Sequence, residues 1–410
     1  MKTYVFLTNT IGGYSGGPSY INNKIAYLKE NGWEVSVFDT GGSSKISYSN
    51  FIPFSKNRIK ELYFHPSWFN SFQRNKVCNK IIQSINPQSE TIVVESNTIV
   101  LAEWGEIIAT IVQAKHLVFL LGEHTIVSDK KQFEFLFYKY QHREIFSISA
   151  KAFENLFSKF CVVPNSDDCH WNAMSTTQPE EIPLNEINDV EKSDFTICHL
   201  GRLKLYVPYM IEQLCCFVKQ YPNKTFNIIF MGIKEVNHTL IHSLELNTNV
   251  NLIFIESQNP IPKVLFRKSD IVIATAGCAR IAFGEGVKTI SMDVETNRPL
   301  GIMGYTTNQI SYSSDQYPDS TLSLSELIEE ILIKQTYNQP YILKEMVRDK
   351  GYEYHMSFID NRKEYYDKVL DITSSQTMKH QMMRIFTKLG LVCLVRKGTI
   401  YTFQKKNHLK

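Results

Sequence analysis

No apolar run in the 410 residues is long enough to cross a bilayer, which excludes a helical integral membrane protein. The eight cysteines, at 78, 161, 169, 198, 215, 216, 278 and 393, show no paired metal spacing, and several sit in apolar runs. A disulfide scaffold and a structural zinc site are therefore excluded, and free thiols point to a reducing cytoplasm. Neither an internal repeat nor a low-complexity tract occurs, so a solenoid is not expected. The glycines at the N-terminus do not form G-x-G-x-x-G, which is poor evidence for a dinucleotide cofactor. A nucleic-acid-binding motif is also missing, and no nucleic acid is expected as a partner.

Acidic residues are missing from one place only. After Asp371 come Lys379, Arg384, Lys388, Arg396, Lys397, Lys405, Lys406 and Lys410, with no Asp or Glu. Removing these eight charges from the formal net charge of +3 leaves −5 for residues 1–371. Basic character belongs to the tail. Between Met378 and Cys393, Met382, Ile385, Phe386, Leu389 and Val392 are apolar at helical spacing, and His380, Arg384 and Lys388 repeat every four residues elsewhere on the same helix. Such a helix suits an anionic membrane surface. The alternative is that its apolar stripe docks on the protein.

What remains is a long, aromatic-rich globular chain, with 25 Phe and 21 Tyr, too long for one ordinary core. Tyr4 to Thr8 reads as a first strand rather than a signal peptide, because its apolar part is short and no cleavage region follows. Gly12, Gly13, Gly16 and Gly17 follow in a loop that can approach a ligand closely. Ser19 to Glu30 has helical spacing and stops at Asn31-Gly32, and Val35 to Phe38 is the second strand. Residues 41–75 look like an insertion with short helices. Strands and helices then alternate to about residue 165, including the strand His116 to Leu121, which leads into Gly122-Glu123-His124. A carboxylate and a histidine just past a strand's carboxyl end stand where open α/β sheets bind ligands, so Glu123 and His124 are candidates for a general base.

Pro179, Pro183 and the acidic residues around them mark a linker at 178–192. A second alternating series begins at Phe195 to His199, with Arg202 and Lys204 in the turn that follows. The most informative stretch is Ser269 to Asp293. Ile271 to Ala274 is a short β-branched run of the kind buried in parallel sheets. Thr275-Ala276-Gly277 has small side chains where that strand turns into a helix, running from Ala279 to Glu285, and Val287 to Met292 returns as a strand. A helix N-terminus at a strand's carboxyl end attracts phosphate through unpaired N–H groups and the helix dipole. Arg280, taken as lying on the first turn, adds a bidentate grip.

These features resemble the GT-B glycosyltransferases, most closely the GT4-type bacterial enzymes of surface-polysaccharide synthesis. Four local matches carry the resemblance: the opening strand with Gly12-Gly13 to Gly17-Pro18; Ile148-Ser149 with Val162-Val163-Pro164-Asn165, similar to "V-P-N-G"; Leu200-Gly201-Arg202-Leu203, similar to "G-R-L"; and Ser269 to Ile273 with Gly286 to Ile290, similar to "A-D-V-x-V" and "G-x-P-V-I". It implies an α/β chain of two Rossmann-like doubly wound domains with an amphipathic helical tail. The boundaries expected are 1–177 for an acceptor domain, 178–192 for the linker, 193–340 for the sugar-nucleotide domain, 341–372 for C-terminal helices and 373–410 for the tail.

The resemblance further implies a transferase that moves a sugar from a nucleotide-sugar to a lipid-linked glycan, without metal or cofactor, on the cytoplasmic face of the cell membrane. Arg202, helped by Lys204, would contact the donor diphosphate, with Thr275, Gly277, Cys278, Arg280 and Glu285 completing the donor side. His124 matches the histidine that lies near the sugar, and Glu123 is the other candidate base. The family's paired glutamates are not recognisable: Glu285 is present, but Gly277 or Cys278 stands near the place of the first. Thr275-Ala276-Gly277 instead resembles the turn of the lipid-linked GlcNAc transferase of peptidoglycan synthesis, whose following glutamate is replaced here. Retention or inversion of the anomeric centre stays open, as do a sugar-nucleotide epimerase and a non-catalytic partner of another transferase. A two-lobed solute-binding protein would carry an export signal.

Overall fold

The computed structural model describes residues 1–9, 16–40, 55–122, 125–162, 165, 169, 171, 178–188, 192–201, 206–232, 238–258, 260–294, 296–307, 322–337, 351–359, 364–372 and 384–389. Contacts gather Met1–Met174 and Asp349–Lys410 into one compact unit and Ser175–Arg348 into a second.

The first unit is built from β1 (Lys2–Thr8), α1 (Gly16–Glu30), β2 (Trp33–Asp39), β3 (Ser55–Arg58), α2 (Ser71–Ile82), β4 (Thr91–Ser96), α3 (Ile99–Val112), β5 (Lys115–Leu120), α4 (Lys130–Gln141), β6 (Ile145–Ser147) and α5 (Ala150–Phe157). Its strands are parallel in the order β3-β2-β1-β4-β5-β6. Because helices cover both faces, β5 is buried along its whole length, its apolar run at 117–120 following the buried Lys115 and His116. Ser55–Arg58 pairs with β2 at the sheet edge, so the expected insertion at 41–75 contains a strand of the sheet itself. Its four polar and basic residues gave no apolar period to read.

The second unit consists of α6 (Asn185–Asn188), β7 (Phe195–Leu200), α7 (Val207–Gln220), β8 (Phe226–Met231), α8 (His238–Glu245), β9 (Val250–Ile255), α9 (Lys263–Lys268), β10 (Ile271–Ala274), α10 (Ala276–Gly284), β11 (Lys288–Met292), β12 (Pro299–Ile302) and α11 (Leu324–Leu332). The order is β12-β11-β10-β7-β8-β9, parallel except for the edge strand β12. Read from β9, both sheets follow the Rossmann order 3-2-1-4-5-6. The fold is therefore two doubly wound α/β domains.

Two boundaries differ from the sequence reading. Leu184 and Ile187, inside the expected linker, are buried with Leu265 and Phe266, and Glu180 bridges to Pro262, so 178–188 packs on the second unit. Apolar residues among the acidic ones account for this. The C-terminal residues return to the first unit instead of forming a separate block: α12 (Tyr352–Ser357) places Tyr352 against Tyr20 and Tyr27, and His355 stacks on Trp171 at 4.1 Å. Tyr366 N–H donates to Glu106 at 2.7 Å, and Ser67 hydroxyl to the Ile372 carbonyl at 2.7 Å. Residues 341–350 and 360–363 lie outside the described residues, and of the C-terminal helices expected at 341–372 the described part shows α12 and one 3-10 turn at Val369–Asp371.

The first unit buries an unusual number of charges. Lys24 on α1 and Glu95 on β4 meet at 2.6 Å with both side chains fully buried. Tyr4 and Tyr20 hydroxyls donate to the same carboxylate at 2.6 and 2.9 Å, and the Asn97 amide at 3.0 Å. Burial pulls the Lys24 pKa down, opposed by Glu95. A second network joins Glu106 on α3 to His116 on β5 and to Lys139 on α4, which also bonds Glu144 at 2.7 Å. Burial works against the Glu106 carboxylate, but Lys139 and His116 outweigh it and hold its pKa at about 2. Removing one member of such a pair strands the other charge, which costs about 3–5 kcal/mol.

His116 Nε2 also lies 3.0 Å from Ser96 Oγ, and Nδ1 2.6 Å from Glu106 Oε2. This is the outline of a serine–histidine–acid relay. It has no access: all three side chains are buried, and a Cβ on Gly105 would collide with both Ser96 Oγ and His116 Nε2. Gly105→Ala is expected to destabilise the protein by about 3 kcal/mol through overpacking. Urea denaturation measures it, and a loss below about 1 kcal/mol would contradict the packing.

Candidate functional site

Each sheet reverses its winding once. In the first the reversal lies between β1 and β4, and in the second between β7 and β10. Open α/β sheets bind ligands outside the carboxyl ends of the strands at this point, where successive connections leave in opposite directions and open a crevice.

In the second sheet, Leu200 pairs with Ala274 and Ala274 with Ser291, so Gly201, Thr275 and Met292 stand at one level on the carboxyl edge. Gly201 has φ +144°, and Gly232 has φ +97° with its Cα so near the Gly201 carbonyl that a Cβ would be 2.7 Å from that oxygen. The turns after β7 and β8 are therefore closely stacked. Thr275 ends the neighbouring strand and α10 begins at Ala276, earlier than the sequence spacing predicts.

Helix starts are of two kinds in this protein, and α10, like α7, α9 and α12, belongs to those without a side-chain cap. Asn70, Thr98, Asp129, Ser149 and Ser323 each accept a bond from their own helix's backbone. Thr275 makes no such cap, and its Oγ1 is buried with no hydrogen-bond partner among the described residues. Threonine is a good cap, and losing the bond typically costs about 1 kcal/mol. Ala276 adds to the cost by standing at φ +52°, a left-handed conformation disfavoured for any residue with a Cβ. Uncapped amides, a hydroxyl without a partner and local strain thus coincide at the reversal point.

Two further polar atoms are buried beside it with no partner among the described residues. His199 Nδ1 donates to the Ile273 carbonyl at 3.2 Å, which leaves Nε2 as a lone-pair acceptor. Burial pushes the His199 pKa down to about 4 despite that bond, so the ring is neutral at pH 7. The Tyr206 ring lies 5.8 Å from that of His199, and its hydroxyl also lacks a partner. Burial raises the Tyr206 pKa far above its ordinary value, with Cys278 adding to the effect. His199 and Tyr206 were not legible in the sequence, since a histidine inside an apolar strand run gives no periodic signal.

The expected donor residues fall into three groups. Thr275, Gly277 and Cys278 lie together at the start of α10, on the carboxyl edge. Arg280 is four residues beyond Ala276, about 6 Å further along the axis, so it is past the first turn rather than on it. Glu285 caps the other end of α10 and lines a cavity of about 560 Å³ with Asp194, Asp270 and Lys288, at the amino edge of the sheet. It cannot belong to a donor site at the carboxyl edge, because the helix carries it across the full depth of the sheet. Arg202 and Lys204 lie outside the described residues, as do Glu123, His124, Gly12 and Gly13. Gly16 and Gly17 are the first residues of α1, not part of a loop. In the first unit, Asn97, just past β4 at the reversal point, keeps its Oδ1 buried with no partner among the described residues.

The chain resembles sugar-nucleotide enzymes of known structure. Anabaena HepE, solved with UDP and glucose, aligns over 99% of this chain and 100% of its own, with 12% identity and a TM-score of 0.49. A glycosyltransferase from Rickettsia africae aligns over 90% and 95%, with 13% identity and a TM-score of 0.48. A UDP-GlcNAc 2-epimerase from Neisseria meningitidis, bound to UDP-GlcNAc, aligns over 90% and 98%, with 12% identity and a TM-score of 0.37. No family model matches the chain, and no curated protein matches it by sequence. At these identities no residue role passes from the solved structures to this chain.

Ala276→Gly is expected to raise stability by about 0.5–1 kcal/mol, against the usual penalty for glycine in a helix, because it relieves the positive φ. A lowered melting temperature would contradict the strained turn. His199 gives a pH signature. Its folded pKa of about 4 lies below the ordinary 6.5, so the protonated ring favours unfolding. The stability this difference supplies is fully present above pH 6.5 and is lost as pH falls through 4, roughly 3 kcal/mol in all. In His199→Gln that part of the acid-side slope should vanish from denaturation curves taken between pH 7 and 4.

Proposed function

We propose that the protein is a glycosyltransferase that binds the pyrophosphate of a nucleotide-sugar at the N-terminus of α10 and transfers the sugar to a lipid-linked glycan of the bacterial surface. The observation that carries this is the uncapped start of α10 at the reversal point of the second sheet. Thr275 does not cap the helix, its buried hydroxyl has no partner among the described residues, and an anion there would meet both that hydroxyl and the positive end of the helix dipole.

The chemistry follows from what such a site does to charge. Glycosyl transfer passes through a cation-like sugar while negative charge grows on the departing diphosphate. Fixed N–H groups at a helix start stabilise that growing charge more than the ground state, without reorganising. No step of this kind requires a metal or cofactor from the protein's side. Arg202 and Lys204, which follow β7 in the sequence, would stand beside the same phosphates, since β7 and β10 are neighbours. His124 and Glu123 follow β5 in the first unit, and either would take the acceptor hydroxyl proton in an inverting reaction. The absence of acidic residues beyond Asp371 supports a tail that meets the anionic cytoplasmic face of the membrane, where a lipid-linked acceptor resides.

Gly277→Asp separates binding from folding. A carboxylate in the first turn suits the helix dipole, so stability should hold or rise slightly. The same charge would repel a diphosphate, and the thermal shift produced by UDP-, GDP- or dTDP-sugars should fall to that expected from at least tenfold weaker binding. Undiminished stabilisation by the sugar-nucleotide that wild type prefers would refute the site.

A further inference from the structure

The first unit carries an apolar surface that its own core does not use. At 384–388 the chain is helical, and this short helix lies against α2: the Gln73 amide donates to the carbonyls of Lys388 at 3.1 Å and Thr387 at 3.5 Å. Its orientation is the reverse of a helix docked by its apolar stripe. Thr387 is fully buried, whereas Ile385 is 58% exposed, Phe386 40% and Leu389 67%. Phe72, one residue before the contact on α2, is 78% exposed.

The charges around this surface have one sign. Between Ser71 and Ile82 the charged residues are Arg74, Lys76 and Lys80, and at 384–389 they are Arg384 and Lys388. Phe72, Lys76 and Lys80 recur every four residues and are all exposed, which puts an apolar ring and two ammonium groups on one helix face. Val77, Cys78 and Ile81 are buried on the other.

We infer that α2 and the helix at 384–388 together form a single lipid-binding face, in which Phe72, Ile385, Phe386 and Leu389 enter the headgroup boundary while Lys76, Lys80 and Lys388 stay at the level of anionic headgroups. Long basic side chains on apolar stems are suited to that depth. A second copy of the chain does not fit the face, since two such surfaces would bring like charges together. The chain beyond residue 389 does not fit either, because it adds Arg396, Lys397, Lys405, Lys406 and Lys410 and no acid. Nucleic acid would match the charge but leave the aliphatic side chains unused. This inference rests on the membrane contact proposed for the tail and extends it to a second, distant segment of the chain.

Co-sedimentation of the full chain with vesicles tests it. Wild type should bind vesicles of phosphatidylglycerol and phosphatidylcholine, and bind pure phosphatidylcholine at least tenfold more weakly. Phe72→Ser, and separately Lys76→Glu with Lys80→Glu, should each weaken binding to the anionic vesicles at least tenfold, with melting curves like wild type because these side chains are exposed. Ile385→Ser with Leu389→Ser should do the same. If only the 385/389 variant loses binding, the role of α2 is overturned while the tail's membrane contact stands. If wild type binds no vesicle, both fall. Retention of a single-stranded oligonucleotide, with vesicles ignored, would replace the lipid face by a polyanion site.

Discussion

Parallel pairing of β7 with β10 is the constraint on which the carboxyl edge of the second unit depends. Parallel neighbours must each be followed by a crossover that leaves the same edge, and at this pair the crossovers depart in opposite directions. The edge therefore cannot be closed by the connections themselves. The start of α10 is left in that opening without a cap from Thr275, with its first residue strained and with three buried polar atoms, on Thr275, His199 and Tyr206, that have no partner among the described residues. Each of these features costs stability in the protein alone.

The first unit handles polarity differently. Its buried charges are matched: Lys24 with Glu95, and Lys139 with Glu106 and Glu144. Both networks tie helices to neighbouring strands, and the second also receives the returning C-terminal segment through the backbone of Tyr366. A buried ion pair contributes little net stability compared with apolar packing, but it is unforgiving of misplacement. It fixes α1 and α3 on the sheet in one arrangement. The serine, histidine and glutamate around Gly105 belong to this structural system, in spite of their relay-like spacing.

How far the sequence could be read depended on the physical signal. Buried parallel strands such as Ile271–Ala274 announce themselves, because both faces are apolar, and so do helices with caps and stops. Ser55–Arg58 did not, since an edge strand of polar residues has no such pattern. The small-residue turn Thr275-Ala276-Gly277 was legible as a strand-to-helix turn because it follows a short apolar run and precedes a helical spacing. Where α10 begins was not legible, and a shift of three residues in that start is what moved Arg280 off the first turn.

By itself the sequence determined the class of the chain: two alternating α/β series, a small-residue strand-to-helix turn in the second, and a tail without acids. These follow from composition and period, which are local. Only the tertiary structure decided which edge each residue occupies, that residues 351–372 complete the first unit, and that a strand histidine and a tyrosine 7 residues later leave their polar atoms open beside one helix start. Pairing between strands far apart in the chain sets all of these, and no local pattern encodes which strands will be neighbours.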